Sequence, residues 1–412
     1  MLFQTTNPIL LKTYTKNENA TITKIVCGNG HCLFLTSEFK LYGFGENEQG
    51  QLGIPLDTPN HKYINTVQEI QIPNLPNTSQ IVDIAAGDYF SLVLIRNEDG
   101  RYQVIKFGIN ERDKYKTNLQ KYNNVHIEQL PQDISNDVID SIYAFGKRTA
   151  ILVHKRREGD ETNFSRIKLY IGNIDFANNY LPEYTLFADY DYSSVKIKSI
   201  GLGLFHMVVF LSELGKTKIY AVGDNTYGEL GEEVGNKLSL TSLTEITYEG
   251  IPSAYIKKIA CGARHNLILC EQPNNIISGL VPVDGPQNIL YAVGDNSEGQ
   301  GFGYSSKNGQ PIKVDININS NIIDCYCGYT HNIIILQNGD VMSWGQSSGG
   351  KLGYNEEHLT QGTPKVIMKL KQKSVVNACL GQQMTVIATG ASRNENDDVL
   401  LSDSFANKIE SS

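Results

Sequence analysis

An apolar pair followed by Gly, two residues and often His, then an apolar run, returns seven times along the 412 residues of this chain. The first copy reads Ile25-Val26-Cys27-Gly28-Asn29-Gly30-His31, and its Gly recurs at Gly87, Gly146, Gly203, Gly262, Gly328 and Gly381. The steps are 59, 59, 57, 59, 66 and 53 residues. Spacing of that regularity marks a repeat architecture, in which each unit completes its burial against its neighbours.

Within one unit the apolar stretches are short and bounded by turn residues, which favours strands over helices. Ile259 to Cys261, Asn266 to Cys270 and Ile289 to Val293 illustrate three strands of one unit. A segment ahead of the repeat Gly, often with Pro as in Thr363-Pro364-Lys365-Val366-Ile367, supplies a fourth at the sheet edge, where Pro is tolerated. A four-stranded sheet cannot bury both faces alone, and radial stacking of such sheets solves this while leaving short edges. The expectation is all-β: a seven-bladed β-propeller of four-stranded antiparallel blades over residues 1–403, its ring closed by the chain termini, with a polar flexible tail at 404–412. Seven repeat-Gly segments face only six strands ending in the second Gly of the unit, at Gly45, Gly108, Gly172, Gly223, Gly294 and Gly345. The seventh unit therefore borrows its third strand from an end of the chain, Val399-Leu400-Leu401 or, alternatively, Met1-Leu2-Phe3.

Gly203-Leu204-Phe205-His206 with Ile219-Tyr220-Ala221-Val222-Gly223-Asp224-Asn225 and Glu229-Leu230-Gly231 resembles the repeat of the regulator of chromosome condensation family. So do Gly262-Ala263-Arg264-His265 with Tyr291-Ala292-Val293-Gly294-Asp295-Asn296, and Gly328-Tyr329-Thr330-His331 with Val341-Met342-Ser343-Trp344-Gly345. The resemblance covers roughly residues 20 to 390. Copies two, three and seven are weaker and lack the His, reading Asp88-Tyr89-Phe90, Lys147-Arg148-Thr149 and Gln382-Gln383-Met384. It implies a propeller that acts through protein partners. The founding member is a guanine-nucleotide exchange factor for a small GTPase and carries a wedge-like hairpin in its third repeat. Here Ile174 to Tyr180 offers no long insertion, and the basic N-terminal arm of that member is missing. The ultraviolet-photoreceptor branch relies on clustered Trp, whereas this chain has Trp344 alone.

His31, His206, His265 and His331 occupy one repeat-equivalent position. A metal ring or catalytic array would use such residues, but a position that repeats with the fold points to buried histidines bonded to a neighbouring strand. Asn after Gly in Gly-Glu-Asn and Gly-Asp-Asn suits a turn whose side-chain amide bonds local backbone.

Composition narrows the function classes. A net charge of −8 and a pI near 5.6 disfavour phosphate backbones, so no direct nucleic-acid partner is expected. Seven Cys show no zinc or redox spacing, and Cys27, Cys261 and Cys327, each just before the repeat Gly, fit buried packing in a reducing compartment. The N-terminus lacks a signal-peptide pattern, and no run approaches the roughly 20 apolar residues of a membrane span. No phosphate-binding loop, nucleophile elbow or His-Glu-x-x-His occurs. The reading is therefore non-enzymatic, without cofactor or metal, monomeric by itself, and cytoplasmic or nuclear.

The favoured function is an interaction platform, meaning a scaffold, adaptor or regulatory subunit; the alternative is a guanine-nucleotide exchange factor. Candidate partner-binding residues are Glu46, Asn47 and Gln49, then Asp224, Tyr227 and Glu229, then Asp295 and Glu298. They fall in equivalent loops and are expected to form an acidic arc for a basic protein surface. The segment from Glu271 to Gln287 interrupts the fifth copy and reads as a surface insertion. Lys155-Arg156-Arg157 reads as a solvated hairpin tip.

Overall fold

The computed structural model describes residues 9–12, 20–56, 59–108, 125–128, 130–131, 134, 136–157, 160–172, 174–175, 180–181, 184–231, 238–271, 288–303, 307–316, 320–354, 359–371, 373, 375–389 and 398–401. The expected tail at 404–412 and the insertion at 272–287 lie outside them. The architecture is an all-β propeller of antiparallel blades, and no α-helix occurs among the described residues. Contacts divide the chain into two units, Met1–Val195 with Val376–Ser412, and Lys196–Val375.

In the first unit, the first sheet orders Ile22–Cys27, His31–Thr36, Leu41–Glu46 and Tyr63–Glu69. The second follows with Gln80–Ala86, Phe90–Arg96, Tyr102–Gly108 and Val125–Ile127. The third uses Val138–Phe145, Arg148–Arg157, Asp160–Gly172 and Thr185–Asp191. A further four-stranded sheet in this unit draws on both ends of the chain. Val375–Leu380 and Thr385–Thr389 are extended by Asp398–Leu401, which pairs with Ile9–Lys12. The third strand thus comes from the C-terminal segment, and the N-terminal contribution is Ile9–Lys12 as the fourth; residues 1–8, with Met1-Leu2-Phe3, are not described.

The second unit holds three sheets. Val195–Leu202, which begins one residue before the unit boundary, joins His206–Glu213, Lys216–Asp224 and Ser239–Ile246. Next are Ile256–Cys261, His265–Glu271, Asn288–Asp295 and Lys307–Lys313. Last are Ile322–Cys327, His331–Leu336, Val341–Gln346 and Thr360–Val366. The Pro-bearing strand Thr360–Val366 pairs with Val341–Gln346, so it completes the preceding copy's sheet instead of opening the next. It is still an edge strand, as its Pro364 requires.

Burial explains the apolar runs. His31–Thr36 and His331–Leu336 are buried at every position, as strands covered on both faces must be. Edge strands such as Thr360–Val366 are exposed or half-buried throughout. Core clusters lie between neighbouring sheets. Leu33, Leu35 and Leu52 of the first pack with Ile84, Val93 and Phe107 of the second, and Phe210 with Ile268 in the second unit. Backbone bonds join the turns as well: Asn29 N–H donates to Asp88 O at 3.2 Å, and Leu204 N–H to Ala263 O at 2.9 Å. That close approach explains the repeat Gly, because a Cβ at Gly28 would strike the His31 ring and the Gly87 carbonyl.

Between the third and fourth strands of the third sheet, Ile174–Asp175 pairs antiparallel with Tyr180–Leu181 in a separate ladder of two residues per strand, within the segment read from the sequence as offering no long insertion. Lys155 to Arg157 end a long hairpin arm in which Arg157 lies opposite Asp160, as expected of a hairpin tip.

Candidate functional site

The expected acidic loops follow the third strand of a sheet. Each begins at a Gly with positive φ, 113° at Gly45, 112° at Gly223 and 104° at Gly294, which turns the chain sharply. The following Asn then ties the loop together. Leu52 N–H donates to Asn47 Oδ1 at 3.0 Å, while Asn47 Nδ2 donates to the carbonyls of Ile54 and His61, both at 2.9 Å. Asn225 and Asn296 do the same, accepting from Leu230 and Gly301 N–H at 2.8 Å. The turn role expected of these Asn residues holds.

Three of the eight candidate partner-binding residues are withdrawn from solvent. Asn47 and Glu229 are fully buried and Asp295 is nearly so. Asn47 faces inward because both ends of its amide are committed to the loop backbone. Glu229 sits two positions beyond Tyr227, at the place held by Gln51 and Gln300 elsewhere, and all three are buried. Its Oε2 accepts from Tyr227 N–H at 2.9 Å, as Gln51 accepts from Gln49 N–H and Gln300 from Glu298 N–H. Burial pushes the Glu229 carboxyl up to about 8; the Asp224 carboxylate adds to the rise, while backbone N–H groups and Arg264 oppose it. Asp295 Oδ1 accepts from Ser297 N–H at 2.9 Å, a short-range turn bond that fixes its side chain against the loop. Glu46, Gln49, Asp224, Tyr227 and Glu298 remain partly exposed and are the accessible remainder of the set. Lys351, at the position of Glu229 in the last sheet of the second unit, is also buried, and burial pushes its ammonium down to about 8.

The repeat histidines are fully buried. His206 Nε2 lies 2.7 Å from Asn266 Oδ1, whose Nδ2 donates to Glu229 O at 2.7 Å. Burial holds the His31 imidazole down at about 3 and also lowers His265 and His331, which favours their neutral forms. Among the described residues no three His, Cys, Asp or Glu side chains are placed to hold a metal ion. Cys261 is buried and Cys27 and Cys327 half-buried, all as free thiols.

Arg264 carries no motif signature. It precedes a repeat His, a position that holds Gly30, Phe205 and Thr330 in other copies. Its guanidinium lies 5.3 Å from the Phe205 ring centroid and 4.9 Å from that of Tyr227, and Nη1 donates to Tyr227 Oη at 2.9 Å. The signal that could have found it is the tandem arrangement: the residue before one repeat His meets the loop of the preceding sheet.

Residues 40–94 and 338–388 match the family described as "Regulator of chromosome condensation (RCC1) repeat", and residues 22–51 match a second model of the same description. The chain is a distant member of the regulator of chromosome condensation repeat family. Its repeats are similar over 353 residues to the ultraviolet-B receptor UVR8 of Arabidopsis thaliana, at 24% identity, covering 85% of this chain and 58% of that protein. They are 26% identical over 174 residues to the secretion-regulating guanine nucleotide exchange factor of Bos taurus, covering 42% of this chain and 33% of that protein. The first curated relatives are matched over 13% to 58% of their own length. Among solved structures, Prp20p of Saccharomyces cerevisiae aligns with a TM-score of 0.64 at 19% identity, covering 95% of this chain and 85% of that one. That likeness concerns the fold. No helix among the described residues is long and apolar enough to cross a membrane.

Proposed function

We propose that this repeat protein is a non-enzymatic interaction platform that docks another protein on its loop-bearing face. The observation that carries the reading is the rigid loop set. Asn47, Asn225 and Asn296 pin the loops internally, leaving Glu46, Gln49, Asp224, Tyr227 and Glu298 accessible on fixed backbones. A surface organised before binding loses little entropy on association. In this proposal the sheets form one seven-bladed ring over residues 1–403, closed by the pairing of Ile9–Lys12 with Asp398–Leu401. The protein acts as a monomer in the cytoplasm or nucleus, and its net charge of −8 turns it from nucleic acid. Prp20p, which is similar in fold, has binding properties to Gsp1p and histones, and this supports a protein partner here. The test is affinity capture followed by mass spectrometry, comparing wild type with Asp224→Lys/Glu298→Lys. Loss of the dominant captured protein in the folded double mutant supports the platform. A wild type that captures nothing above background sinks it.

A second reading, guanine-nucleotide exchange, is favoured by the two-stranded hairpin of Ile174–Asp175 and Tyr180–Leu181, which follows the third strand of the third sheet. A hairpin can act as a wedge that trades nucleotide affinity for partner affinity. Release of fluorescent GDP from a captured small GTPase, lost on deleting residues 176–179, supports this reading. A release rate unchanged by added wild-type protein removes it.

A further inference from the structure

We infer that Arg264, clamped between Phe205 and Tyr227, is a recognition point for a carboxylate on an acidic segment of a partner protein. This rests on the interaction-platform reading and names the partner chemistry that one part of that face selects.

Arg264 is half-exposed, and its one hydrogen bond among the described residues goes from Nη1 to the Tyr227 hydroxyl. Three other cations at the surface pair with carboxylates: Arg101 with Asp99, Arg166 with Asp189 and Lys218 with Glu213 and Glu245. Arg264 forms no ion pair among the described residues. A guanidinium carries five N–H donors in a rigid fork matched to a carboxylate, and most of that fork is unspent here. Two aromatic faces hold the group in place, so little side-chain freedom is lost when an anion binds. Phe205, 36% exposed, adds apolar surface beside the charge. Arginine and tyrosine at such a spot are the residue types that dominate binding energy at protein interfaces.

Among the described residues no carboxylate pairs with the guanidinium. Burial raises the Glu229 carboxyl to about 8, which favours its neutral form. Asp224 bonds Thr226 instead, its Oδ1 accepting from the N–H and Oγ1. A phosphate backbone is the poorer occupant, since it brings no apolar side chains to lie against the Phe205 and Tyr227 rings that flank the guanidinium. A single carboxylate flanked by apolar side chains matches both the fork and the rings.

The test uses the full chain and fluorescein-labelled hexaglutamate, followed by fluorescence anisotropy at low salt. An acidic peptide gains nothing from the overall charge of this protein, so saturable binding requires a local cationic site. Wild type is expected to bind saturably, Arg264→Gln about tenfold more weakly, and Arg264→Lys in between, because an ammonium cannot reproduce the fork. Lys313→Gln, a change at an exposed cation away from the clamp, should bind as wild type. Melting curves check each variant, and Tyr227→Leu, which removes one ring, should also weaken binding if Arg264→Gln does not fold. Absent saturable binding, equal affinity in Arg264→Gln, or an equal loss in Lys313→Gln would overturn the inference. Competition by oligothymidine that depends on Arg264 would overturn the carboxylate class in favour of phosphate. Should a captured partner bind the folded Arg264→Gln protein normally, this inference fails while the platform reading stands.

Discussion

His265 Nε2 lies 2.8 Å from Asn332 Oδ1 on the next sheet, and Asn332 Nδ2 donates onward to Gln300 O at 2.7 Å. The Asn therefore clamps a buried His of one sheet and a loop carbonyl of that same sheet. In the first unit Ser91 does this work, accepting from His31 Nε2–H at 2.8 Å and donating to Gln51 O at 2.7 Å. Where the His is missing, copies two and seven carry apolar residues: Phe90 packs with Leu92, Ile142 and Ile151, and Met384 shares a cluster with Cys32, whereas copy three carries the buried Thr149. A buried donor without its acceptor would be costly, which is why His31, His206 and His265 each face an acceptor on the next sheet.

Replacing His206 or His265 by Ala strands the amide oxygen of Asn266 or Asn332. Urea unfolding should show a loss of about 1–3 kcal/mol for either change. The His265→Ala/Asn332→Ala pair should lose less than the sum of the single changes, because both remove one interaction. A single mutant of normal stability that has lost partner binding would overturn the structural role.

Acid should unfold the protein through the same histidines. His31 takes up a proton near pH 6.5 when unfolded but only near 3 when folded, and burial lowers His265 and His331 likewise. Between those pH values the unfolded chain binds more protons, so stability is full above about 6.5 and drains as pH falls, by up to about 1.4 kcal/mol per pH unit for each group. Denaturant midpoints at pH 7, 6 and 5 measure this. The joint variant His31→Phe/Ser91→Ala should show a shallower decline, and an unchanged slope would contradict the assignment.

Glu229 works in the opposite direction. Its folded carboxyl titrates near 8 against an ordinary 4.5, so its contribution is present below 4.5 and is lost as pH rises to about 8. Gln, which already stands at Gln51 and Gln300, keeps the acceptor for Tyr227 N–H without the buried charge. Glu229→Gln should therefore stabilise the protein at pH 8 to 9 by on the order of 1–3 kcal/mol and change little at pH 5. Equal midpoints for wild type and variant at pH 9 would count against a buried, protonated Glu229.

Both chain ends contribute strands to one sheet, with Leu10 opposite Leu400 and Leu11 opposite Val399. Deleting residues 1–12 exposes the edge of Asp398–Leu401, and deleting 391–412 removes the strand that Ile9–Lys12 pairs with. Each truncation should lower the melting temperature by several degrees, at roughly 1 °C per kcal/mol lost for a chain of 412 residues. Melting curves that match wild type for both truncations would dismiss the terminal strands as contributors to stability.

Repetition along the chain was enough to read the fold class and the strand positions. Four-residue to eight-residue apolar runs bounded by turn residues are too short for typical helices and favour buried strands, and the repeat Gly and turn Asn perform local jobs that any copy reveals. The inward direction of the histidines followed from the same logic, since a position that recurs with the fold serves the fold. Three things depended on tertiary structure. Asn47, Glu229 and Asp295 turned inward although loops carry them, because in the folded loops their side chains bond loop backbone and are covered. The partner of His206 stands 60 residues away and that of His265 67 residues away, on strands no local pattern connects. The Arg264 clamp likewise exists only because the chain, once folded, brings the rings of Phe205 and Tyr227 within a few ångströms of the guanidinium. Periodicity governs what each repeat builds, whereas contacts between repeats govern which of its polar groups reach solvent.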